Sequence, residues 1–340
     1  MPAKLILRAG ALALGITLGA CGGNGTSSPP LVAGPLSLSA SGAGSNVAAG
    51  SATAGQDLYL ASRNDNSVLV FPAKVHGNKT PMRRIAGSKT KLFYPIGLAV
   101  DAGGKIYVAN DNGARQIEIF SATANGNATP KLLGGPSTGF VYVQGMAVDG
   151  HGQLYVADYD ANAIFVFAAG VSGNVAPIRT IAGATTKLSE PSGVTFDSAG
   201  DLYVANGGSV LKFPKNANGN VAPLARLSGS NTGIGYILSV SFDPTGRLIV
   251  AEDAAVRIFA KGASGNTAPV AIISGAKTGL ATVTTAGVDA TGKIYATVVH
   301  NYKKSYVRVF ANTANGDVAP LRTLAGPNTH VNDAFYPTFY

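Results

Sequence analysis

The sequence predicts an all-β fold: a six-bladed β-propeller, four antiparallel strands per blade, with the ring closed by the C-terminal strand. Three observations predict it. One phrase (Phe, five residues, Gly, Asn or Asp, two residues, Pro) recurs with unchanged internal spacing from Phe71, Phe120, Phe167, Phe213, Phe259 and Phe310. Between copies lie short β-branched and aromatic runs separated by turn residues, which signal strands rather than helices. The composition is 46% hydrophobic but only 13% charged, with 44 Gly. That excludes a disordered chain and suits strands covered on both faces. Four strands per repeat is the unit of a propeller blade.

Each repeat divides into four strands in order. Strand A is an apolar run ending in Asp, as in Gly97-Leu98-Ala99-Val100-Asp101. Asp101, Asp149, Asp197, Asp243 and Asp289 each precede a Gly three residues on, a tight-turn signature, so they are expected to cap A–B turns. Strand B follows, as in Lys105-Ile106-Tyr107-Val108-Ala109, and strand C ends at the repeated Phe. The Gly-Asn…Pro phrase forms the C–D loop. Strand D then closes on a Gly that is followed three residues later by Thr in every copy. The first copy has no clear strand A before Leu58. The chain end, Phe335-Tyr336-Pro337-Thr338-Phe339-Tyr340, matches Phe93-Tyr94-Pro95-Ile96-Gly97-Leu98, so the C-terminal segment is expected to complete the first blade. An unclosed ring would leave bare strand edges.

The N-terminus carries an address. Lys4 and Arg8 precede an apolar stretch too short to span a bilayer, which ends in Leu18-Gly19-Ala20-Cys21. This segment resembles a bacterial lipoprotein signal with its lipobox, and Cys21 is the only cysteine. The resemblance implies removal of residues 1–20, lipidation of Cys21, and export with attachment to the membrane through the lipids. Gly22, where Asp would favour the inner membrane, favours the outer membrane. Residues 21–56 hold the lipidated cysteine and a Gly/Ser/Ala-rich stretch of flexible-tether composition, and residues 57–340 hold the propeller. Without Lys4 and Arg8 the charge is 24 basic minus 17 acidic residues, or +7. With no basic stripe and interleaved aromatics, nucleic acid is not an expected partner. A monomer is expected.

The units Gly-Leu-Ala-Val-Asp…Gly-Lys-Ile-Tyr-Val-Ala-Asn and Gly-Met-Ala-Val-Asp…Gly-Gln-Leu-Tyr-Val-Ala-Asp resemble the NHL repeat, over residues 57–340. They depart from it in the long C–D phrase, and Ile249 replaces the usual Tyr. The resemblance implies a propeller but no single activity, since NHL relatives include lactonase-like hydrolases, lyases and plain binding proteins.

The B–C spans vary in length between copies whereas the C–D phrase does not, so ligand contact is expected on the face formed by B–C and D–A loops, the top. Candidates there are Asn110, Asp111, Asp158, Asp160, Asn162, Asn206, Glu252, Asp253, His300 and Tyr302 in B–C loops, and Tyr94, Tyr142 and Tyr236 in D–A loops. Asn110, Asp158, Asn206 and Glu252 share one slot, three residues after the strand B Tyr or Ile. Four such oxygens could hold a divalent cation at the channel mouth, as lactonase-like propellers do. Asp158-x-Asp160-x-Asn162 begins like a calcium loop but lacks its Gly and Glu, and Asp and Asn are also ordinary turn residues. No cofactor is expected beyond Ca²⁺ or another divalent cation. The four histidines have no metal-ligand spacing. Gly135-Pro136-Ser137-Thr138-Gly139 matches G-x-S-x-G but no helix follows it. No nucleophile, base and orienter assemble, so the sequence favours a non-catalytic binding module at the cell envelope, with a protein or glycan ligand. The alternative is a metal-dependent, lactonase-like hydrolase.

Overall fold

A computed structural model describes residues 56–340 apart from 73, 112–114 and 301–303. The signal, Cys21, the tether before Gln56, and Tyr302 lie outside the described residues. Among these residues the strands form six four-stranded antiparallel sheets. Blade 2 shows the pattern: A is Pro95–Val100, B Ile106–Asn110, C Gln116–Phe120 and D Lys131–Gly134. Blades 3 to 6 repeat it, with strands A at Val143–Val148, Pro191–Phe196, Ile237–Phe242 and Thr282–Val288. In blade 6 the B–C hairpin is longer: strand B runs through Ile294–His300 and C starts at Lys304, so His300 ends a strand rather than lying in a loop. Six apolar clusters each join two neighbouring blades, from blades 1 and 2 around to blades 6 and 1.

The ring closes as expected. Ala334–Phe339 pairs antiparallel with Leu58–Ser62 and becomes strand A of blade 1. Its register differs from the expected match. Ala334 faces Ser62 as Pro95 faces Asn110, and Phe339 faces Leu58 as Val100 faces Ile106. Asp333 therefore takes the place of Tyr94, and Phe335, facing Ala61, that of Gly97, which faces Ala109; the bulge comes later, at Tyr336 and Pro337. Burial set this register: it puts Ala334 and Phe339 in the blade 1–blade 6 core, and the shared Phe-Tyr-Pro letters carry less weight than apolar burial.

The repeated phrase is a clasp between blades. The phrase Gly of each blade forms a parallel bridge to strand D of the blade before it, from Ile85↔Gly126 around to Leu324↔Gly77. The following Asn or Asp then accepts a backbone N–H beyond that strand D: Asn174 Oδ1 from Ser137 N at 2.8 Å, and Asn78 Oδ1 from Asn328 N at 2.8 Å. The Gly that ends strand D has φ near +120° and lies under this Asn. A Cβ at Gly135 would stand 2.6 Å from Asn174 Oδ1. The Thr three residues later donates back to that Gly, as Thr138 Oγ1 does to Gly135 O at 2.8 Å. Gly135-Pro136-Ser137-Thr138-Gly139 is thus one such short helical turn, with Ser137 in the clasp. Asn174→Ala removes one acceptor at an exposed site. It should cost about 1 kcal/mol, a shift of roughly 2 °C in Tm by calorimetry.

Candidate functional site

Strands A surround the central axis and pack too closely for side chains at their glycines. A Cβ at Gly97 would lie 2.3 Å from Gln144 O, and one at Gly145 2.2 Å from Ser192 O. Tyr336, on blade 1, donates its hydroxyl to Ser192 O at 2.6 Å, on blade 4. Blades 1 and 4 stand opposite each other in a ring of six, so this side chain crosses the channel. Burial pushes the Tyr336 hydroxyl's pKa up.

The top rim consists of the residues just before each strand A. Tyr94, Glu190 and Asp333 occupy this slot with φ of 50°, 56° and 55°. Such left-handed backbone in non-glycine residues costs of order 1 kcal/mol each and marks functional sites. The B–C turn of the preceding blade steadies two of them: Asn66 Oδ1 accepts Tyr94 N at 2.7 Å, and Asn162 Oδ1 accepts Glu190 N at 2.7 Å. Tyr142 and Tyr236 fill the same slot in blades 3 and 5.

These residues join in one band. Arg63 Nη2 donates to Asp111 Oδ2 at 2.6 Å and Nη1 to Asp333 Oδ2 at 3.3 Å, with the guanidinium 5.1 Å from the Tyr94 ring centre. Asp111 in turn accepts the Tyr142 hydroxyl. Tyr142 meets Tyr159 edge to face, 6.0 Å between centroids. Burial raises Asp333 above the ordinary carboxylate range, against the pull of Arg63. Phe93, Tyr94, Val141 and Tyr236 are 49%, 37%, 39% and 50% exposed on this face. A cavity of about 420 Å³ lies at the edge of the band, lined by Asp65, Asn66, Arg84, Gly87 and Leu92 among others.

The four oxygen side chains proposed as cation ligands each accept backbone N–H groups. Each caps the D–A loop of its own blade. Asn110 Oδ1 accepts Phe93 N at 3.0 Å and its Nδ2 donates to Lys91 O at 2.9 Å. Asn206 makes the equivalent bonds to Ser189 N (2.8 Å) and Lys187 O (3.1 Å). Asp158 accepts Val141 N, Tyr142 N and Ala161 N at 2.8, 2.9 and 3.0 Å. Burial raises its pKa while those amides pull it down, the balance lying on the raised side. Glu252 accepts Gly235 N at 2.7 Å and pairs with Arg257. In blade 1 Ser62 Oγ does the same work, accepting Asn332 N at 3.0 Å and donating to His330 O at 2.7 Å. Asn162 and Asp158, from the calcium-loop spacing, are likewise spent on backbone, and Asp160 is exposed. Among the described residues no three His, Cys, Asp or Glu are grouped as metal ligands.

Sequence reasoning missed Arg63, Tyr159, Glu190 and Asp333. Each sits in a slot that held a named candidate in another copy: Arg63 and Tyr159 in that of Asp111, Glu190 and Asp333 in that of Tyr94. Alignment of copies by strand pairing would have found them.

No family model matches the chain, and no curated protein matches it. Its structure resembles a chain in a crystal structure of a nidogen/laminin complex, at 15% identity and TM-score 0.60, over 84% of this chain and 98% of that one. It also resembles a protein of unknown function from Bacteroides caccae, at 12% identity and TM-score 0.57, over 80% of this chain and 94% of that one. At these identities the likeness is one of fold, a six-bladed propeller.

Proposed function

We propose that this chain is an exported lipoprotein, anchored through Cys21, whose NHL-like propeller binds a partner without chemistry on it: an envelope protein or a glycan held on the top face. One observation carries the reading. Phe93, Tyr94, Val141 and Tyr236 are exposed on the face where Asp333, Arg63, Asp111 and Tyr142 are bonded to one another. Rigid, exposed aromatics with a polar neighbour are what recognition surfaces use, because little entropy is lost when they are covered. The backbone strain at Tyr94, Glu190 and Asp333 supports the same face. The similar chain in a nidogen/laminin complex comes from a protein assembly, which favours a protein as the first partner to seek.

The test has two arms. Labelled palmitate should be incorporated by the wild type and not by Cys21→Ala. A photo-crosslinker at Val141 should capture a defined envelope protein or glycan, and one at Asn218 in the C–D loop should not. The Tyr94→Ala/Tyr236→Ala variant should lose about 2 kcal/mol per aromatic, about 4 kcal/mol together, roughly a thousandfold in Kd. Unchanged binding in that variant would remove the top face from the reading. Lactone or ester turnover abolished by EDTA would replace the binding module with a hydrolase.

A further inference from the structure

Charge is sorted between the outer rim and the rest of the propeller. The rim consists of the C–D phrases, strands D and the short turns after them: residues 72–90, 121–138, 168–186, 214–232, 260–278 and 311–329. In these spans the sequence has twelve Lys or Arg and one acid, Asp317. The other sixteen of the 17 acids lie elsewhere. Asp317 itself faces backbone, accepting Lys277 N at 2.6 Å.

The rim also exposes apolar side chains at a fixed place. The residue after the phrase Pro is Met82, Ile178, Leu224, Val270 or Leu321 in five blades, each at least 50% exposed. In blade 2 it is the exposed Lys131. Its backbone N–H is spent on strand C, as Met82 N is on Val70 O at 2.8 Å, while its side chain is exposed. Basic residues are most numerous on blade 1, where Lys74, Lys79, Met82 and Lys89 are all exposed. Residues 56 and 57 enter blade 1 beside the A–B turns. Gln56 Oε1 accepts Ala290 N from the blade 6 A–B turn, and Asp57 N donates to Tyr340 O.

We propose that this rim, centred on blade 1, seats on an anionic phospholipid bilayer. Lysines beside single exposed aliphatics fit a membrane interface, where ammonium groups meet anionic headgroups and the aliphatic groups enter the acyl boundary. A soluble polyanion would satisfy the lysines and leave Met82 and Leu321 in water. The contact lies away from the aromatic band and does not depend on it. A membrane at this rim leaves the top face open to a partner.

Residues 56–340 contain all the described strands and both halves of the closure, so this unit is the one to float with vesicles. It should bind phosphatidylcholine vesicles containing phosphatidylglycerol, not phosphatidylcholine alone, and added salt should release it. Each lysine near such a surface contributes about 1 kcal/mol, so Lys74→Gln/Lys79→Gln should weaken partition roughly 30-fold. Met82→Ser/Leu321→Ser should weaken it at unchanged salt dependence. Lys91→Gln/Lys187→Gln removes equal charge from the D–A loops and should leave partition within about twofold. Equal loss in both lysine pairs would reduce the effect to net charge and overturn the proposal. So would equal binding to neutral vesicles, no binding, or release of the vesicles by a soluble anionic polysaccharide.

Discussion

Removing residues 334–340 should abolish cooperative unfolding of the propeller rather than merely lower its Tm. These residues supply the whole of strand A in blade 1, paired along Leu58–Ser62. They also bury Ala334, Tyr336 and Phe339, at 1%, 6% and 3% exposure. Loss of a buried aromatic side chain costs about 3–5 kcal/mol, and two are lost together with a strand's hydrogen bonds. That matches or exceeds the total stability of an ordinary domain, about 5–15 kcal/mol. The deletion also exposes the edge of Leu58–Ser62, so aggregation should accompany the loss. A milder variant separates closure from channel filling. Tyr336→Phe keeps the strand and the ring but leaves Ser192 O without its 2.6 Å donor, and should cost about 1–3 kcal/mol. A sharp, wild-type-like melt of the truncated chain by circular dichroism and calorimetry would show that the ring does not need its clasp.

Closure was legible in the sequence because it is a matter of counting: six phrases, but only five upstream strands A, leave one strand to be supplied. Its register was not, because Phe335-Tyr336-Pro337 copies the letters of Phe93-Tyr94-Pro95 while burial pairs Phe339 with Leu58. Tyr94, Tyr142, Asp111 and Tyr236 were read onto one face, and there Arg63, Asp111, Tyr94 and Tyr142 do meet. Its chemistry was harder to read, for a physical reason. A ring of cation ligands and a set of loop caps produce the same periodicity, one oxygen side chain per repeat. Asn110, Asp158, Asn206 and Glu252 are distinguished only by where their lone pairs point, onto amides 16 or 17 residues upstream. Arg63 could not be placed beside Asp333 until the ends met, since 270 residues separate them. The Gly-Asn phrase, read as an invariant loop, proved to be the joint between blades, which is why it cannot vary.

Glu118 should make the propeller more stable in mild acid than in mild base. It lies on strand C of blade 2, in the slot held by Leu69, Phe165 and Leu211 in blades 1, 3 and 4. Its side chain is fully buried. Oε1 accepts Gln116 Nε2 at 2.9 Å, and Oε2 has no partner. Burial pushes its pKa from the ordinary 4.5 to about 7, with the Gln116 bond and the Lys91 charge pulling weakly the other way. Between those values the folded chain holds a proton that the unfolded chain releases. Stability is therefore full below about pH 4.5 and falls as pH rises to about 7, by roughly 3 kcal/mol at 1.36 kcal/mol per pH unit. Asp57, Asp158 and Asp333, also raised by burial, add to this slope, and Asp243, held low by Thr245 and Arg247, opposes it. Glu118→Gln isolates the one group, because the others are common to both chains. The stability gained by the variant, measured by urea titration, should be near zero at pH 4.5 and about 3 kcal/mol at pH 8. A difference that stays flat across this range would mean that the Glu118 carboxyl titrates in the fold as it does in the unfolded chain.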